Sequence, residues 1–298
     1  MPLVPVSPRV RTPPLRTRRN VTSVTPDQLA AYRSALGDMQ ALKPSDDRSY
    51  PFHAGHHGLP LPIQCQHGTP LFLPWHRAYL YFFERELRDR EAERARREGR
   101  AAREIAQPFW DWTVPAATPV EAIPVAYRDK KDAAGGANPM HHGTVSPAAM
   151  EQQHDLRPPV GPLDLPAETF RQPGLPGTER PTKERIDRIV AEPDFVTFYR
   201  RLEDWHGRVH VWTGGEGHMR HVPLAAFDPI FWAHHCMIDR LWRLWQLAHP
   251  PPPFTDAFLN TALPPFPMTV AQTLSVTALG YDYATTAVTV PVGPTRED

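Results

Sequence analysis

The chain has 298 residues with 33 basic and 33 acidic side chains, a formal net charge of zero, so bulk electrostatics gives no reason to expect a nucleic-acid partner. Two cysteines, Cys65 and Cys236, are too few for a disulfide framework or a cysteine-rich zinc site, and the apolar runs fall short of the roughly 18 residues a membrane span needs. Proline is abundant at 37 residues, as is histidine at 15, so long irregular connections around a limited set of helices are expected.

The opening MPLVPVSPRVRTPPLRTRRN has no apolar stretch of the secretory kind. It suggests a loose or strand-like arm on a cytoplasmic protein, and export in the company of a partner is compatible with it. Residues 25–42 begin with a Thr-Pro-Asp start signal and space Leu29, Tyr32, Leu36 and Met39 as a helix would. Pro74 suits a first helical turn, and a helix is predicted from there to about residue 97, ending near Gly99. Its apolar stripe includes Ala78, Leu80, Tyr81 and Leu87, and its far end is a solvated charge run.

The Pro/Gly-rich tract over 116–182 is expected to be surface loop that lines a site. Helical patterns return at TKERIDRIV and DFVTFYRRLEDWHGRVHVWT, then in an aromatic-rich helix from Pro229 to about Leu247. The β-branched end, TLSVTALGYDYATTAVTVPV, predicts short strands. No domain boundary is evident.

The organising feature is histidine. His206 and His210 stand one turn apart on one helix face, a chelating arrangement. His235 lies in a helix too aromatic for the surface, where an imidazole needs both nitrogens satisfied; a metal on one and a hydrogen bond on the other would do so. An earlier block supplies His57, His67 and His76. Three imidazoles per block, with no carboxylate or thiolate evident, suit copper or zinc, and two such sites on facing helices would make a binuclear centre.

These motifs resemble the tyrosinase and polyphenol oxidase family, the type-3 dicopper proteins that include catechol oxidases and molluscan haemocyanins. HGTPLFLPWHRAYLYFFE, residues 67–84, is similar to the copper A signature, and DPIFWAHHCMID, residues 228–239, to the copper B signature, with His235 as ligand and His234 as its neighbour. HHGLP singles out His57 over His53 and His56. Arg19-Asn20-Val21 and Tyr281-Asp282-Tyr283 extend the likeness over nearly the whole chain. The resemblance implies a mainly α fold: a four-helix bundle core around a binuclear copper site, with long Pro-rich loops and short strands at the termini. It further implies one catalytic domain over 1–298, its core at about 18–283, without a separate C-terminal lid.

The implied function is oxidation of o-diphenols to o-quinones by dioxygen on two copper ions, with o-aminophenols and monophenols as further candidate substrates. The implied ligands are His57, His67 and His76 for one ion and His206, His210 and His235 for the other. Phenols and dioxygen are the implied partners, a copper-delivery protein is a further one, and neither nucleic acid nor membrane is among them. Cys65, in CQH, matches the subset of the family in which a thioether joins the cysteine to the second copper A histidine. Glu203 stands where a glutamate orders a water that helps deprotonate the phenol. The usual Asn or Asp after the first copper B ligand is here Gly207, which leans the expectation away from monophenols. Met219 and Val222 are expected in the substrate pocket, with valine leaving access open. Asp239, one turn past His235, is expected to be structural or to anchor a ligand ring. The rival readings are a haemocyanin-like dioxygen carrier, sharing all six ligands, and a structural zinc or iron protein.

Overall fold

Residue patterning sets where the helices begin and end in the computed structural model, which describes residues 15–284. In chain order the elements are β1 (Arg16–Arg18), α1 (Pro26–Ala41), α2 (Tyr50–Gly55), α3 (Phe72–Glu98), α4 (Val125–Arg128), α5 (Pro147–Gln152), α6 (Lys183–Val190), α7 (Phe195–Gly214), α8 (Ile230–Ala248), α9 (Asp256–Leu259), β2 (Ala262–Leu263), β3 (Phe266–Thr269), α10 (Val270–Thr273) and β4 (Tyr281–Tyr283). Thr25 caps α1 through a reciprocal pair with Gln28, and Pro26 opens its first turn.

α3 starts two residues ahead of the predicted Pro74. Proline is tolerated at that third position because its missing N–H belongs to the first turn, whose donors have no intrahelical acceptor. The helix stops at Gly99, whose φ of 65° lies in the left-handed region and whose N–H bonds back to Ala95 and Arg96.

The fold is mainly α. α3 lies at its centre and packs against α1, α7 and α8. α8 is buried continuously from Ile230 to Trp242, as its aromatic content predicts. β1 pairs in parallel with β4, Arg18 opposite Tyr283, so two segments near the chain's ends lie side by side. The predicted strand-forming stretch beyond residue 284 and the arm before residue 15 lie outside the described residues.

A buried polar hub sits where this strand pair meets α3 and α8. Asp239 accepts hydrogen bonds from Arg18, Arg77, Tyr281 and Tyr283, and Glu84 accepts from Arg16, Arg18 and the Gln107 N–H.

The 116–182 tract is only partly the surface loop expected. It forms α4 and α5 and buries Tyr127, Met140 and Val145. Arg171, within it, pairs with the fully buried Asp228 and donates to the carbonyls of Tyr127, Met140 and His141. Those bonds satisfy backbone groups that helices and strands leave open.

Candidate metal centre

His206 and His210 project from one face of α7 towards α8, where His235 meets them. The Nε2 atom of His235 lies 3.3 Å from that of His206 and 3.2 Å from that of His210. A tetrahedral ion bound at about 2.0–2.1 Å sets its ligand nitrogens about 3.3 Å apart, so His235 already stands at that spacing from each of the other two.

The earlier block approaches from the other side. His76 lies in the opening turns of α3, His57 just past α2, and His67 on the loop between them. Their ring centroids are 5.3–5.6 Å apart. The Nε2 atoms of all three are buried with no hydrogen-bond partner among the described residues. An unmet buried acceptor costs roughly 1–3 kcal/mol, which a metal ion would offset.

Backbone carbonyls set the tautomers. Nδ1 of His57 lies 3.0 Å from the Val222 carbonyl, Nδ1 of His76 2.7 Å from that of Phe72, and Nδ1 of His210 2.8 Å from that of Met219. A carbonyl only accepts, so each Nδ1 carries the hydrogen and each Nε2 keeps its lone pair. Burial also holds these rings neutral. It lowers His67 and His210 to about 4, and it drives His57, His76, His206 and His235 well below the ordinary imidazole value, helped by neighbouring imidazoles.

Three groups of side chains have ligand atoms close enough to share an ion: His206 with His210, His234 and His235; His57 with His76 and His235; and His57 with Cys65 and His67. The six predicted histidines are therefore brought together, although His57, His67 and His76 do not form one closed trio. His235 stands between the blocks, stacked on His76 with centroids 4.5 Å apart. His234, expected only as a neighbour, is fully buried within 5.2 Å of the His206 ring, and both its nitrogens lack partners among the described residues. The His-His pair was the only sequence signal for it. His53 and His56 lie outside all three groups, among Phe52, Phe83 and Phe266.

His57, His67, His206 and His210 line a cavity of about 810 Å³, with His76 and His235 buried behind them. Glu203, Gly207, Met219 and Val222 all line it. Gly177, Thr178 and Glu179 of the Pro/Gly tract form part of its wall, a contribution anticipated for the tract but not for any named residue. Val222 is partly exposed, and Met219 is fully buried. A Cβ added at Gly207 would meet nothing within 4 Å. Glu203 accepts a 2.6 Å hydrogen bond from the Gly68 N–H; burial raises its pKa, and that N–H opposes the rise.

Cys65 Sγ lies 3.4 Å from His67 Nδ1, and burial pushes its thiol up to about 12. Of the two roles expected of Asp239, the anchoring of a ligand ring has no contact behind it among the described residues, and the structural one does. Its oxygens serve the arginines and tyrosines of the hub, and Nδ1 of His235 has no partner among the described residues. One helical turn points the two side chains along the same face, but the charged donors of α3 and β1 reach the carboxylate first. The roles of the carbonyls of Val222, Met219 and Phe72 carry no sequence signature, because any residue supplies one.

The family model for the common central domain of tyrosinase matches residues 46–248. A tyrosinase of Streptomyces lincolnensis is 30% identical over 205 residues, covering 64% of this chain and 68% of that protein. Units G and H of a Sepia officinalis hemocyanin are 29% identical over 240 residues, covering 77% of this chain and 37% of theirs. Among solved structures, a copper-depleted mutant of Aspergillus oryzae active tyrosinase complexed with L-tyrosine shares the fold at a TM-score of 0.73 and 20% identity, covering 94% of each chain. On its matched central domain, its fold and its clustered histidines, this chain belongs to the tyrosinase family of type-3 copper proteins.

Proposed function

We propose that the chain is a phenol oxidase that takes o-diphenols to o-quinones with dioxygen. In this reading His57, His67 and His76 hold one copper ion and His206, His210 and His235 a second. The donor set suits copper: neutral imidazoles, no carboxylate, and His235 Nε2 already at coordination spacing from those of His206 and His210. When bound, the copper pair supplies the two-electron exchange with dioxygen; two diphenols and one dioxygen balance to two quinones and two waters.

The chain's own residues bind the ring and move its protons. The cavity of about 810 Å³ is ample for a phenolic ring, with Met219 and Val222 as apolar contacts. Glu203 accepts the phenolic proton, and its burial-raised pKa makes it a better base than a solvated glutamate. Gly207 offers no side chain to hold a water beside Glu203, so diphenols and o-aminophenols are favoured over monophenols. Cys65 is near enough to His67 for a thioether, in which an S–H and a ring C–H bond give way to one S–C bond and the two protons and two electrons released reduce dioxygen to hydrogen peroxide. An intact mass lower by two hydrogens after copper loading is the expected signature.

The observation carrying the reading is the convergence of buried, neutral imidazoles from two remote segments on one open cavity. The test is to load the purified protein with copper and supply 4-methylcatechol. Two copper ions per chain with quinone formation and oxygen uptake are expected. The similarity to hemocyanins favours one alternative, a dioxygen carrier. Reversible oxygen uptake without quinone would select that reading, and failure to take up copper would dismiss both.

A further inference from the structure

Between α2 and α3 the chain runs without helix, and His67 sits on this connection. Among the described residues, apart from the Phe72 N–H to Thr69 carbonyl bond that turns the chain into α3, the 62–70 segment makes a single hydrogen bond to another element, from the Gly68 N–H to Glu203 on α7 at 2.6 Å. Its remaining bonds are local, such as Gln66 to Gln64 and Leu71 to Thr69. Gly68 directly follows His67 and has a φ of 69°, a left-handed conformation that a side chain would strain. Glu203 is half-buried and has no ion-pair partner among the described residues. It lies less than one turn from His206 on the same helix.

We infer that Glu203 is a positioning residue that straps the His67 loop to α7, so that one metal position depends on the helix that builds the other. The inference rests on the proposed dicopper reading, and it assigns Glu203 a task separable from proton transfer. The strap needs an acceptor oxygen at the right reach and no negative charge. The base needs the charge.

Three variants separate these requirements. Glu203→Gln keeps an acceptor at full length and loses the base. Glu203→Asp keeps the charge and loses the reach. Glu203→Ala loses both. In metal-free protein, iodoacetamide labelling of Cys65 reports how well the loop is held, because Cys236 is fully buried. Labelling is expected to be slow in the parent and in Glu203→Gln, and faster in Glu203→Asp and Glu203→Ala.

With copper and a competing chelator, the last two are expected to hold one ion about 10–100-fold more weakly, the usual penalty for losing a supporting contact. Glu203→Gln is expected to keep two ions per chain with reduced kcat. Circular dichroism checks folding; if Glu203→Ala does not fold, Glu203→Asp carries the comparison. Parent-like labelling and copper binding in Glu203→Asp would overturn the strap, as would a loop in Glu203→Gln as loose as in the shortened variant. If the parent itself binds no copper, the dicopper reading fails while the labelling comparison still decides the strap.

Discussion

Gly207 is the residue where a missing side chain shapes the chemistry most. It lies on α7 one turn beyond Glu203 and directly after His206, facing the cavity, with no atom within 4 Å of a Cβ placed there. Asparagine at this position would enter open space, and replacing a helical glycine favours the helix by several tenths of a kcal/mol. Glu203→Gln removes the carboxylate, whereas Gly207→Asn adds a partner for a water beside it. Gly207→Asn is therefore expected to raise turnover of a monophenol such as tyramine about tenfold or more relative to 4-methylcatechol, with thermal stability slightly raised. An unchanged ratio of the two rates would place the barrier to monophenols elsewhere. At this scale the donor atoms were legible in the sequence, since the spacing of His206 and His210 and the aromatic setting of His235 both pointed to metal. The atoms orienting those donors were not, because they are backbone carbonyls at Val222, Met219 and Phe72.

The helices that carry the donors are braced from below by charge. Arg77 follows His76 on α3, Asp239 lies one turn past His235 on α8, and their ion pair joins the two helices inside the core. Arg18 and the hydroxyls of Tyr281 and Tyr283 bring β1 and β4 onto the same carboxylate. Arg77 also stacks on Trp242 at 3.6 Å. Replacing Asp239 by asparagine keeps the shape and leaves Arg18 and Arg77 short of countercharge in a dry environment. Loss of one partner from such a network costs about 3–5 kcal/mol, so Asp239→Asn is expected to lower the urea midpoint sharply and weaken metal retention. A change under about 1 kcal/mol would mean that Glu84 alone balances both arginines. The hub shows why element boundaries were easier to foresee than element roles. Thr25 and Gly99 mark helix ends by local chemistry. Asp239 read as structural or as a ring anchor because its partners come from β1, α3 and β4, far away in sequence. The 116–182 tract was opaque for a related reason: Arg171 and Asp228 order part of it through a pairing no local pattern reveals.

Across the whole molecule, the cluster keeps a set of neutral imidazoles out of water, and this makes the metal-free fold sensitive to mild acid. The sign follows from proton counting. In the folded chain burial holds His67 and His210 at about 4, and drives His57, His76, His206 and His235 well below the ordinary imidazole value. In the unfolded chain the same side chains titrate near about 6.5. Below that value the unfolded state takes up protons that the folded state does not, so stability falls as pH falls, by about 1.4 kcal/mol per pH unit for each imidazole concerned. Glu84 and Asp239 act in a lower window. Burial pushes both carboxyls up, but Arg18 and Arg16 around Glu84, and Arg77 and Arg18 around Asp239, more than offset it, leaving both below the usual carboxylate range. Their contribution is fully present above the unfolded value of about 4 and disappears only beneath it. The two windows can be told apart. The unfolding midpoint of metal-free protein is expected to decline already between pH 7 and pH 5, where the carboxylates are silent. Adding copper at about a hundred times its dissociation constant is expected to restore about 2.7 kcal/mol per site, because the ion binds imidazoles that only the folded chain presents together. A flat profile from pH 7 to pH 5 in the metal-free protein would show that these rings take up protons inside the fold, and the view of the site as a pre-formed set of neutral ligands would then have to be abandoned.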